Sequence, residues 1–126
     1  MILGAGVELV DVARFERALA RHGERLTHRL FTADERAYAA RRTARAAAQS
    51  LAVRFAAKVA ARRALGGEGV ALRDVEVVRV RGRAPTLRFH ARAGDAAAAR
   101  GVTGSALTLT HDPFCCIGHV LLERQP

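Results

Sequence analysis

Ala46 to Leu65 is the longest helical pattern in the chain, and Gly66 and Gly67 stop it. Its apolar face runs through Leu51, Phe55, Val59 and Ala60, while Arg54, Lys58, Arg62 and Arg63 project elsewhere. After Gly67 the hydrophobic period changes. Asp74 to Val80 and Thr86 to Arg92 are predicted strands, the second alternating Leu87, Phe89 and Ala91 with Arg88, His90 and Arg92. Gly82 to Pro85 is the turn between them. Together with a strand at the start, this order predicts one α+β domain over residues 1–126, with the long helix packed on an antiparallel sheet.

The flanking segments complete that plan. Ile2 to Val10 is apolar and punctuated by Gly, the pattern of a buried strand. Asp11 then stands at an N-cap, ahead of Val12, Phe15 and Leu19 at helical spacing, and this helix should end near Gly23. Glu24 to Leu30 is a second helical stretch. Thr32 and Glu35 form a capping box that starts a helix reaching about Arg42. Near the end, Asp95 to Arg100 is a short Ala-rich helix stopped by Gly101. Ala106 to Thr110 and Cys115 to Glu123 are a hairpin around His111-Asp112-Pro113. Cys115 and Cys116 would point to opposite faces of a strand, so they are expected as reduced core residues and not as a bridge.

Charge narrows the function. Twenty-one basic residues against twelve acidic ones leave a net charge of +9. Such a field draws in polyanions, whether nucleic acid, an acidic protein or a phosphorylated cofactor. Nucleic acid fits poorly, because the chain has no helix-turn-helix, aromatic RNA-binding motif or zinc pattern. The first residues, Met1 to Val12, carry Glu8 and Asp11 and no basic leader, and no stretch is long enough to span a membrane. A cytoplasmic location is the expectation, in keeping with reduced thiols.

Four segments resemble the holo-acyl-carrier-protein synthase family, the small trimeric 4'-phosphopantetheinyl transferases. Ile2 to Phe15 resembles the family's opening G-x-G-x-D-I-x-E-x-x-R, with Glu8 on its Asp and Asp11 on its Glu. Leu30-Phe31-Thr32 through Glu35 is similar to F-T-x-x-E. Leu51 to Gly66 contains Arg54-Phe55-Ala56-Ala57-Lys58, which matches R-F-A-x-K-E up to its last residue, where Val59 stands. Leu107 to Glu123 resembles the family's strand, S-x-S/T-H and closing hairpin. The resemblance implies transfer of phosphopantetheine from coenzyme A to a serine of an acyl carrier protein, by a homotrimer with sites between subunits. Mg²⁺ would be held by the first-strand carboxylate and the Glu after the helix Lys, which makes Glu8 the remaining ligand and Val59 a lost one. Phosphoryl transfer is largely positioning and charge neutralisation, which suits this set of residue types.

Each candidate also has a plainer reading. Glu8, a carboxylate in a buried strand, needs a partner: an Arg of the long helix, or a role as metal ligand or catalytic acid/base. Lys58, the single lysine, either decorates a solvated helix face or contacts phosphate in the catalytic site. Arg54, Arg63, Arg83 and His111 are the other expected coenzyme A contacts, Arg83 from the altered turn Gly82-Arg83-Ala84-Pro85. Asp11 is expected as a cap. Arg14, Arg17 and Arg21 share a helix face, and the resemblance implies that this face docks the acidic carrier protein; a solvated charged face is the other reading of Arg17 and Arg21. A second function is open as well. The chain could have lost the transfer step and serve as a carrier-binding module, or act on a carrier-bound acyl chain with Glu8 and His111 as acid and base.

Overall fold

A computed structural model describes residues 1–67 and 69–126. The chain opens with β1 (Ile2–Asp11), α1 (Val12–His22), α2 (Glu24–Leu30), α3 (Ala33–Ala40) and the long helix α4 (Ala44–Ala64). A 3-10 turn at Leu72–Asp74 leads into β2 (Val75–Val78) and β3 (Thr86–Phe89). Then come α5 (Ala91–Ala99), β4 (Gly104–His111) and β5 (Cys115–Glu123). β5 lies between β1 and β4 in a three-stranded antiparallel sheet, and β2 and β3 form a separate two-stranded one.

One face of the larger sheet lies directly on α4, and glycines make that contact possible. A Cβ on Gly6 would fall 1.9 Å from the Ala60 carbonyl oxygen. One on Gly118 would fall 2.7 Å from the backbone of Ala56 and Ala57. Backbone cannot yield at such distances, so only Gly lets the two strands approach the helix axis this closely. The opposite face of the sheet is uncovered. Val7 and Leu9 of β1 are 55% and 60% exposed, and His119 and Ile117 of β5 stand beside them in register. The core divides along α4. Its first half packs Leu51, Ala52 and Ala56 on Phe15 and Phe31, and its second half packs Ala60, Ala61 and Ala64 on Val75, Ala93 and Val120.

The capping signals read from sequence are present. Asp11 Oδ1 accepts from the Arg14 N–H at 2.9 Å, and Thr32 and Glu35 close their capping box at 3.2 and 2.9 Å. α4 starts two residues earlier than its apolar pattern suggested, because the Thr43 hydroxyl accepts from the Ala46 N–H. The expected strand through Arg92 ends instead at Phe89. There the His90 N–H closes on the Asp74 carbonyl at 2.8 Å, Ala91 turns through φ +47°, and α5 begins before Asp95. Cys116 is buried as expected, and burial pushes its thiol up to about 11. Cys115 is only half buried, on the outer sheet face, so it is not a core residue. No helix among the described residues is long and apolar enough to cross a membrane.

Candidate active site on the two flanks of the long helix

Glu8 projects from β1 along one flank of α4. Its Oε2 lies 3.2 Å from Arg63 Nη2, and its Oε1 accepts from the Leu9 N–H at 3.1 Å. Arg63 Nη1 donates to the Val7 carbonyl at 2.8 Å. The partner that Glu8 requires is therefore an arginine of the long helix. Phe55 lines a cleft with Glu8, and Arg63 pairs with it; Val59 stands between these two in the same i, i+4 row. The family's second carboxylate would project here. The protein offers a buried isopropyl group instead, 6% exposed.

On the other flank, Arg54 and His111 meet in a cleft of about 280 Å³ that Tyr38, Arg42, Ser50 and Arg79 also line. The Arg54 guanidinium lies 4.5 Å from the Tyr38 ring centre and donates to Ser50, both to its carbonyl at 3.2 Å and to its hydroxyl. Its buried Nε has no partner. The Arg42 guanidinium stacks on the same ring at 4.6 Å and donates to the phenol oxygen. Burial acts to raise the Tyr38 pKa, but the Arg42 hydrogen bond and the charges of Arg42, Arg79 and Arg54 outweigh it and lower the phenol. Burial likewise lowers Arg54, against the opposing pull of Glu35. Tyr38 and Arg79 also line the adjoining cleft of about 640 Å³, which contains Arg83. Arg54, Arg83 and His111 thus border one continuous basic surface. Arg42, Arg79 and Tyr38 were missed from sequence; only the i, i+4 spacing of Tyr38 and Arg42 hinted at a pair.

Lys58 is neither solvated nor available to a ligand, which corrects the expectation of a catalytic phosphate contact. It is fully buried, and its Nζ lies 2.6 Å from Glu35 Oε1. It also donates to the carbonyls of Leu72 and Val75. An ammonium has three N–H groups, and all are used. Burial lowers its pKa while Glu35 opposes the shift. Glu35 Oε2 further accepts from the Val77 N–H at 3.0 Å. This pair ties α4 and α3 to β2. Beside it Glu76 accepts from the Thr32 hydroxyl at 3.0 Å and pairs with His90 at 2.9 Å.

Glu8 and His111 do not form an acid/base pair within one chain. Glu8 pairs with Gly118, and His111 with Cys116, on opposite edges of the sheet. Two interstrand steps separate them by about 10 Å. α4 crosses the gap, resting on Gly118. The two groups line different clefts. Near Glu8, Arg14 borders an apolar cleft of about 500 Å³ lined by Phe15, Ala18, Leu26, Leu30 and Phe55. Arg14, Arg17 and Arg21 are all exposed on α1.

A glycine-faced strand with Glu8 thus lies on one flank of α4 and a basic cleft on the other. The pattern of the 4'-phosphopantetheinyl transferase superfamily matches residues 4–113. The holo-[acyl-carrier-protein] synthase of Halorhodospira halophila is 47% identical over 97% of this chain and 98% of its own. That of Methylobacterium nodulans is 44% identical over 100% and 99%. The chain therefore belongs to this superfamily and, within it, to the holo-acyl-carrier-protein synthase family. Among solved structures, the Bacillus anthracis synthase in complex with coenzyme A (3',5'-ADP) superposes with a TM-score of 0.82 at 26% identity, covering 99% of both chains. The Plasmodium yoelii synthase matches in fold with a TM-score of 0.88 at 19% identity, covering 100% and 98%.

The Mg²⁺ that the family implies does not fit the residues of this chain. That ion is held by one or two carboxylates plus substrate oxygens in near-octahedral geometry. Here the one carboxylate already accepts from Leu9 and faces a guanidinium, and Val59 supplies no oxygen. A fixed cation at 3.2 Å from Glu8 repels a second cation placed at the same oxygen.

Proposed function

We propose that the protein is a 4'-phosphopantetheinyl transferase that uses coenzyme A as donor and a serine of an acyl carrier protein as acceptor. The serine oxygen bonds to the phosphorus that carries pantetheine. The bond from that phosphorus to its bridging oxygen breaks, and adenosine 3',5'-bisphosphate leaves with the electron pair. Glu8 is the carboxylate placed to take the hydroxyl proton. The cleft of Arg42, Arg54, Arg79 and His111, extended by Arg83, receives the phosphates of the nucleotide end. The convergence of Arg42, Arg54, Arg79 and His111 on one cleft is the observation that carries this reading.

Because the Glu8 and His111 flanks lie apart in one chain, a complete site takes one flank from each of two copies. The uncovered sheet face with Val7, Leu9 and Ile117 is the surface on which copies meet, in a homotrimer. The carrier protein docks on Arg14, Arg17 and Arg21, with an apolar side chain entering the cleft beside Phe15 and Leu26. The location is the cytoplasm.

Intact-mass spectrometry tests the transfer. Purified protein, coenzyme A and an apo carrier protein should yield a carrier heavier by about 340 Da, the phosphopantetheine mass set by the cofactor. No gain with several carriers, with or without added Mg²⁺ or Mn²⁺, would reject it. Val59 favours a second reading, in which the chain binds carriers without modifying them. Transfer by Val59→Glu alone, with carrier binding by both proteins, would establish that one.

A further inference from the structure

Tyr38 is the one tyrosine of a chain without tryptophan, and the fold sets it among arginines. The Thr32/Glu35 capping box starts α3, and Glu35 ties that helix to Lys58 of α4 at 2.6 Å. One turn beyond Glu35, the Tyr38 ring meets Arg54 of α4, whose guanidinium lies 4.5 Å from the ring centre. Arg42 stacks on the same ring at 4.6 Å and donates to the phenol oxygen. Two like charges thus share one ring. Among the described residues, no carboxylate forms an ion pair with Arg42, Arg54 or Arg79. Cations this close repel, and the electron-rich face of an aromatic ring offsets part of that repulsion. The charged and titratable groups around the phenol are Arg42, Arg54, Arg79, Arg81, Arg83 and His111, and no described residue lining its two clefts is acidic. Burial acts to raise the phenol's pKa, yet the Arg42 hydrogen bond and the surrounding arginine charges hold it below the ordinary 10.0. A neutral phenol accepts from Arg42 and leaves the positive charge of the cleft intact. A phenolate would pair with the same guanidiniums and repel phosphate.

We propose that Tyr38 is the positioning residue of the nucleotide cleft: its ring gathers the Arg42 and Arg54 guanidiniums before any ligand arrives, and only its neutral phenol leaves both of them to phosphate. This rests on the transferase reading, which assigns the cleft to the phosphates of the nucleotide end. Phosphate binding and loss of the phenolic proton are then linked, and each weakens the other by the same factor.

Adenosine 3',5'-bisphosphate, which has no thiol to titrate, is the probe. Ultraviolet absorbance titration of the intact protein reads the phenol directly, since the chain has no second tyrosine. The free protein should titrate below 10.0, and saturating bisphosphate should move the midpoint to higher pH. Calorimetric affinity for the bisphosphate should be level up to about pH 8 and fall about fivefold or more by about pH 10. Tyr38→Phe keeps the ring, so it should bind within about threefold of the native protein at neutral pH and lose that alkaline decline. Tyr38→Leu removes the ring and should weaken binding about tenfold at neutral pH. Thermal melting confirms that each variant is folded; should Tyr38→Leu fail to fold, the absorbance titration and Tyr38→Phe still decide. A midpoint unmoved by bisphosphate would overturn the proposal and leave the transferase reading intact. So would a Tyr38→Phe affinity that declines with pH as the native one does, or a folded Tyr38→Leu that binds as tightly as the native protein. A native protein that binds neither bisphosphate nor coenzyme A and adds no mass to a carrier would remove the transferase reading, and this proposal with it.

Discussion

Lys58 and Arg63 lie little more than a turn apart on α4, and each meets a carboxylate from another element. Lys58 meets Glu35 at 2.6 Å with both side chains out of solvent; Arg63 meets Glu8 at 3.2 Å with its own side chain 57% exposed. The buried pair has every donor committed, so it serves the fold. Removing one partner there strands a charge in the core, whereas an exposed pair contributes little to stability and keeps donors free for a ligand. Commitment of donors, more than residue type, separates a cation spent on the fold from one that keeps N–H groups for a ligand on the same helix.

Breaking the buried pair should have the largest effect. Lys58→Met leaves Glu35 unpaired and should cost about 3–5 kcal/mol in urea unfolding. Glu35→Gln in the same protein removes the stranded charge while keeping a side-chain oxygen for the backbone N–H groups that Glu35 caps, so it should recover part of that loss; no recovery would show that the cost of Lys58→Met does not come from an uncompensated carboxylate. Next comes the basic cleft. Arg79→Ala should lower coenzyme A affinity about tenfold by calorimetry, the loss of one charge-assisted contact, while leaving the melting temperature nearly unchanged. The exposed pair should contribute least to the fold. Arg63→Gln should shift unfolding free energy by less than about 1 kcal/mol. A cost near that of Lys58→Met would erase the contrast between the pairs.

Glu76, beside the buried pair, offers a milder test by pH. Burial acts to raise its pKa, but the hydrogen bonds from His90 and Thr32 outweigh this and hold it below its ordinary value of 4.5. The unfolded chain then binds the proton more readily than the folded one. The stabilisation is complete above pH 4.5 and fades as pH falls through the folded value. Chemical denaturation at stepwise lower pH should show that decline in the native protein and a shallower one in Glu76→Gln. Parallel curves would remove Glu76 from the account.

Local chemistry was legible before any coordinates. Asp11 and the Thr32/Glu35 box start helices because a side-chain oxygen answers a backbone N–H three residues on, and nothing distant is needed. The boundary between β3 and α5 was misplaced by contrast. The alternation through Arg92 continues past the point where His90 exhausts its strand partner at Asp74, and that partner is distant in sequence. The site divided in the same way. Arg54, Arg83 and His111 were singled out by motif position, whereas Arg42 and Arg79 are ordinary arginines until the fold gathers them around Tyr38.

By itself the sequence determined the order of helices and strands, the family, and the apolar side chain of Val59 where the resembling motif carries a Glu. Those properties belong to single residues, their spacing and their near neighbours. Only the tertiary structure decided that Lys58 is sealed against Glu35, that Arg63 rather than a free carboxylate faces Glu8, and that α4 separates Glu8 from His111. The physical reason is that solvent exposure and charge pairing depend on which distant segments are packed together, and glycines at 6 and 118 set how closely those segments meet.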